Sequence, residues 1–159
     1  MKLAIGADHG GFKLKNKLVR FLEASEYLVA DLGTHSAQSC DYPKIGMRLA
    51  RSVAQGQFPR GILICKSGIG MSIAANKVPG ARAALCLSVK QARMSREHNN
   101  ANILCLSANF TGFKDAQKMV AVWLKTDFAG GRHARRLKQI SSIEKACIKA
   151  RTKSKASKG

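Results

Sequence analysis

Strands and helices alternate five times along 159 residues, which predicts an α/β fold: a Rossmann-like three-layer sandwich with a five-stranded parallel sheet and helices on both faces. Two observations agree with this. The strand segments are near-continuous apolar runs, as expected for strands covered on both sides. Glycine-rich turns follow the first and third of them, where sheets of this class bind ligands.

The elements follow in order. Lys2–Gly6 is a short apolar strand that ends in Gly6-Ala7-Asp8-His9-Gly10-Gly11. Phe12, Leu14, Leu18, Val19 and Leu22 then recur near helical spacing, with Lys13, Lys15, Lys17 and Arg20 between them, so the spacing predicts an amphipathic helix. Tyr27–Leu32 is the second strand, and Gly33–Pro43 a polar loop. Ile45, Met47, Leu49, Ala50, Val53 and Ala54 mark the second helix, and Gly61–Cys65 the third strand. A short helix over Met71–Asn76 is followed by a strand at Ala81–Leu87 and a helix at Val89–His98. Asn102–Leu106 is the fifth strand, and Asp115–Leu124 a helix holding the lone Trp123. Gly130-Gly131 opens a last basic helix from about Arg132. One domain over 1–147 is expected, with a basic, disordered tail over 148–159, because that segment combines five Lys and Arg residues with a single large apolar one, Ile148.

Composition removes several function classes. Hydrophobic residues are 45% of the chain, ordinary for a globular protein. No apolar run approaches the roughly 18 residues of a spanning helix. The N-terminal apolar stretch is too short for a signal-peptide core, so a cytoplasmic location is expected. Five cysteines, an odd number without C-x-x-C spacing, argue against zinc ribbons and thioredoxin-like sites and fit a reducing compartment. Cys86 and Cys105 lie inside apolar runs and are expected to be buried thiols. Four histidines without paired spacing give little support for a metal site, and neither metal nor cofactor is expected. The net charge of +19 points to anionic partners, and +9 of it falls after Gly131.

The strongest local signal is Cys65-Lys66-Ser67-Gly68-Ile69-Gly70-Met71-Ser72. A cysteine ends a buried strand, and a glycine-rich turn leads into a helix. Consecutive amides without bulky Cβ atoms form an anion nest there, and a helix start favours a thiolate. A core cysteine before a tight turn would have the same local sequence. A phosphatase loop would need arginine at position 71, where Met71 stands; the nucleotide P-loop is absent; and Gly6–Gly11 has the wrong spacing for a dinucleotide fingerprint. Arg132 and Arg136 share a helix face and could grip one phosphate, or simply be solvated.

Taken together, Ala4–Gly11, Asp41-Tyr42-Pro43, Gly61–Cys65, Ser67–Lys77, Ser95–Asn99 and Gly130–His133 resemble ribose-5-phosphate isomerases of type B, a family that also includes allose- and galactose-6-phosphate isomerases. The resemblance covers roughly residues 2–147. It implies a metal-free aldose–ketose isomerisation of a phosphorylated sugar by a homodimer, or a tetramer, whose site is shared between subunits. Cys65 matches the family's base and His98 its ring-opening residue. Ser67 and the amides of Gly68, Ile69 and Gly70 match the enediolate cradle. Asp8, His9, Tyr42 and Asn99 match substrate contacts, with Lys66 beside them, and Arg132 and Arg136 match phosphate contacts. Lys66 stands where the family usually has glycine, and Asn109 where some members have a phosphate-binding arginine. The chemistry suits these residues: an enediolate path needs a base that returns its proton and donors placed where charge develops. The alternatives are a hexose-6-phosphate isomerase and, from another class, a basic nucleic-acid-binding protein. The second is disfavoured because no aromatic follows Phe128 to stack on bases.

Overall fold

The computed structural model describes the backbone of residues 1–156 and the side chains of residues 1–150. Five strands, β1 (Lys2–Ala7), β2 (Leu28–Asp31), β3 (Gly61–Cys65), β4 (Ala83–Leu85) and β5 (Ile103–Ser107), alternate with α1 (Phe12–Ala24), α2 (Tyr42–Ala54), α3 (Ile69–Ala75), α4 (Val89–Glu97) and α5 (Phe113–Lys125); α6 (Gly131–Ala156) follows. The strands form one sheet in the order β2-β1-β3-β5-β4, with every pairing parallel. The expected fold class is therefore the observed one.

Residues alternate across the three central strands, as the strand period of two requires. Leu3, Ile5, Ile62, Ile64, Leu104 and Leu106 face one side, where α1, α4 and α5 bring Leu18, Leu22, Ala92, Met119 and Trp123. Ala4, Leu63, Cys65, Ile103 and Cys105 face the other, against Leu49, Val53, Met71 and Ala75 of α2 and α3. β3 and β5 are buried along their whole length, whereas the edge strands β2 and β4 are short and mostly half-buried. Each fully buried Leu or Ile contributes roughly 1.5–3 kcal/mol, which makes these two layers the main source of stability.

Several expected bounds shift. β2 and β4 are shorter than the apolar runs that suggested them, because an edge strand pairs on one side only. α2 begins at Tyr42, with proline in its first turn, where the free amides cost nothing to lose. Lys15 leaves the polar face of α1 and is fully buried: its Nζ forms an ion pair with Asp31 and donates to the Thr34 carbonyl at 2.8 Å.

Met1–Phe128 forms one compact unit, and the chain from Ala129 forms a second. Gly130 and Gly131, at the start of the second unit, both adopt positive φ, +66° and +52°. α6 runs through residue 148 to Ala156, a stretch rich in Lys, Arg and Ala, which are good helix formers. Residues 157–159 lie outside the described part of the chain. No described helix is long and apolar enough to cross a membrane.

Candidate active site

β1 and β3 are neighbours at the point where the strand order reverses, and α1 and α3 leave them toward opposite faces of the sheet. The crevice at their carboxyl ends is the expected ligand position in such a sheet. Asp8 and Cys65 stand on two of its walls.

Cys65 is the last residue of β3 and is 5% exposed. Its Sγ accepts a hydrogen bond from the Gly68 amide at 3.1 Å. That turn needs glycine at 68: φ is +76°, and a Cβ would collide with Leu85 and lie 3.1 Å from the Leu106 carbonyl. Ser67 Oγ accepts from the Ile69 amide at 3.3 Å, and a Cβ on Gly70 would fall 2.7 Å from the Tyr42 ring. Tyr42, at the start of α2, thus covers the glycine turn.

The β1 turn closes the other wall. Asp8 is 5% exposed, and its Oδ1 accepts from the Gly11 amide at 3.0 Å. A Cβ on Gly10 would collide with the stem of Lys66, so Lys66 lies across the β1 turn beside Asp8. His9 Nδ1 accepts from the Cys40 amide at 3.2 Å, which leaves its Nε2 to carry the proton of a neutral ring. The third wall is the end of β5. Ser107 Oγ donates to the Lys66 carbonyl at 2.6 Å and accepts from the Phe110 amide at 3.1 Å, while the Ala108 amide donates to the Cys65 carbonyl at 2.9 Å. The Asn109 amide donates to the Lys66 carbonyl at 3.0 Å.

The three buried thiols differ in surroundings. Burial pushes the Cys105 thiol far up, and the neighbouring Cys65 and Cys86 add to the effect; burial likewise raises Cys86. Both stay protonated as structural thiols, as expected. Among the described residues no three His, Cys, Asp or Glu side chains are grouped to hold a metal ion.

The unit spanning Met1–Phe128 therefore brings together Asp8, His9, Tyr42, Cys65, Lys66, Ser67, Gly68, Ile69 and Gly70. It does not bring His98 and Asn99 to them. α4 runs back from the carboxyl edge of β4, and His98 caps its far end. The next turn docks on the amino edge of the sheet: Asn102 receives the Gly61 amide at 2.9 Å, and its own amide donates to the Arg82 carbonyl at 3.1 Å. Arg132 and Arg136 lie one turn apart on α6, both exposed, in the other unit.

Sequence reasoning missed Lys15 and Ser107. Lys15 was legible in its spacing, since it lies three and seven residues before Leu18 and Leu22. Ser107 was legible only as a small polar residue closing an apolar strand.

Residues 3–140 match the Ribose/Galactose Isomerase family. The chain is 42% identical over 143 residues to ribose-5-phosphate isomerase B of Escherichia coli, covering 90% of this chain and 96% of that protein. The structure of Clostridium thermocellum ribose-5-phosphate isomerase B superposes with a TM-score of 0.90 at 52% identity, covering 92% of this chain and 99% of that one. Ribose-5-phosphate isomerase B of Mycoplasma genitalium, solved with bound ribulose 5-phosphate, superposes with a TM-score of 0.87 at 40% identity over 91% and 96% of the two chains. With most of its length matched at this identity, the chain belongs to the Ribose/Galactose Isomerase family.

Proposed function

We propose that this sugar-phosphate isomerase interconverts D-ribose 5-phosphate and D-ribulose 5-phosphate through an enediolate, with Cys65 as the base. The observation that carries the reading is the position of Cys65: a thiol at the end of a buried strand, facing the Gly68 amide across a crevice from Asp8. The amide hydrogen bond holds the sulfur in a fixed orientation at the mouth of the crevice. Cys65 removes the C2 proton of the open-chain aldose, giving the enediolate, and returns a proton to C1; transfer of a proton from O2 to O1 completes the ketose. Charge on the enediolate oxygens is met by Ser67 and the amides of Gly68, Ile69 and Gly70, donors fixed in place before the reaction. Asp8, His9, Tyr42, Lys66 and Asn99 contact the sugar, and Arg132 and Arg136 hold its phosphate.

His98 opens the furanose ring. Because His98 and Asn99 sit at the far edge of the sheet from Cys65, they serve the site of a second copy, and the active enzyme is a homodimer with shared sites. No cofactor takes part.

Cys65→Ala tests the base. Turnover of ribose 5-phosphate should fall about 10²–10⁴-fold while substrate affinity, measured by calorimetric titration, changes little. Near-normal turnover would remove Cys65 from the reaction. Assay of ribose 5-phosphate beside allose and galactose 6-phosphates decides the substrate.

A further inference from the structure

The turn that carries His98 and Asn99 is held from behind by arginines. Arg96 is 7% exposed near the end of α4. Its guanidinium donates to Asn100 Oδ1 at 2.9 Å, to the Ala101 carbonyl at 2.6 Å and, through Nε, to the Thr126 carbonyl just beyond α5 at 3.3 Å. It also stacks over the fully buried Trp123, 5.8 Å from the ring centre. Arg82 grips the same turn from the sheet side, Nε to the Asn100 carbonyl at 3.0 Å.

The turn needs holding. Asn100 adopts φ +44°, a left-handed conformation that a side chain other than glycine enters at a cost. Asn100 also returns its amide to the Arg96 carbonyl at 3.0 Å. His98 and Asn99 thus lie between the end of α4 and a residue fixed on both its side chain and its carbonyl.

We propose that Arg96 is a positioning residue for the reaction: its planar fork locks the 98–101 turn and so sets the geometry of His98 and Asn99. This rests on the ring-opening reading of His98. A lysine could keep the charge but not three acceptors on two separate segments, because its ammonium is a point donor on a flexible stem. Burial, with Arg60 and Arg82 close by, pulls the Arg96 guanidinium down to about 10, so it stays charged at neutral pH and keeps all its donors.

Arg96→Lys separates this from a purely structural role. Turnover of ribose 5-phosphate should fall about 10–100-fold, as for a misplaced catalytic group. Uptake of solvent deuterium at C1 of saturating ribulose 5-phosphate, which needs no ring opening, should stay within about twofold, because displacing Asn99 acts on KM. The His98 Cε1–H resonance, identified by its loss in His98→Asn, should shift while that of His9 stays in place. Asn100→Gly keeps the positive φ and removes the side chain that carries the Oδ1 acceptor, so it should show the same pattern more weakly. Equal loss of turnover and exchange, unchanged turnover, or an unmoved His98 resonance in both variants would overturn the proposal. If His98→Asn itself lowers exchange as much as turnover, the ring-opening reading fails, and the resonance still decides whether Arg96 sets His98.

Discussion

Cys65 accepts a hydrogen bond from the Gly68 amide, whereas Cys105, on the next strand, is wholly enclosed and holds its proton well above the ordinary thiol value of 9.0. Cys86 is raised in the same direction by burial. In the unfolded chain both would ionise near that ordinary value, so the folded state binds more protons than the unfolded state once the pH passes it. The stability these two thiols contribute is therefore complete below pH 9 and is lost as the pH rises above it. Each costs about 1.4 kcal/mol per further pH unit until its folded thiol ionises. Urea midpoints at pH 8 and pH 10 should differ accordingly, and Cys86→Ala should shallow the dependence. A midpoint rising with pH would contradict this account. Cys65 stood out in the sequence because a glycine-rich turn follows it, yet Cys105 closes no turn and gave no signal beyond its apolar neighbours.

Lys15 shows how one helix reaches the site without touching it. Its ammonium joins α1 to the end of β2 and to the Thr34 carbonyl, at the start of the loop that ends at Asp41. That loop presents the Cys40 amide to His9 and leads into Tyr42. Lys15→Met would bury a similar volume while taking the ammonium from Asp31, which keeps the Gly33 amide at 2.9 Å and His35 at 3.9 Å. Breaking a buried ion pair on one side costs 3–5 kcal/mol, and because Asp31 keeps 25% exposure the loss should fall at the low end, about 3 kcal/mol. KM should rise along with it, because His9 loses its support. Urea unfolding and substrate titration read the two effects separately; an unchanged KM would mean that the loop is held without Lys15. The helices and strands were legible from periodicity, and their central stretches held. Their ends were less so, because edge pairing and buried ion pairs act on termini and leave the apolar pattern unchanged.

Cys65 and His98 lie at opposite edges of one sheet, so pairing two inactive variants provides a direct test. In a homodimer with shared sites, Cys65→Ala and His98→Asn chains refolded together form half mixed dimers. Each mixed dimer carries one site with both defects and one with neither, so the mixture should recover about a quarter of normal turnover. Activity no higher than the sum of the two variants alone would mean that each site is built within one chain.

The order of strands and helices, the glycine turns and the basic terminus all follow from local patterns: apolar period, residue size and charge are written into neighbouring positions. The motif Ser67–Lys77 points to the chemistry for the same reason, since a nest of amides is a local object. What the pattern could not convey was separation in space. Asp8 and Cys65, 57 positions apart, face each other because β1 and β3 pair directly, while His98 stands away from both because a helix of nine residues carries it back across the sheet. Nor could it place Lys15 inside or assign Arg96 its three acceptors, for those depend on which carbonyls and carboxylates the packed chain leaves within reach of a buried charge.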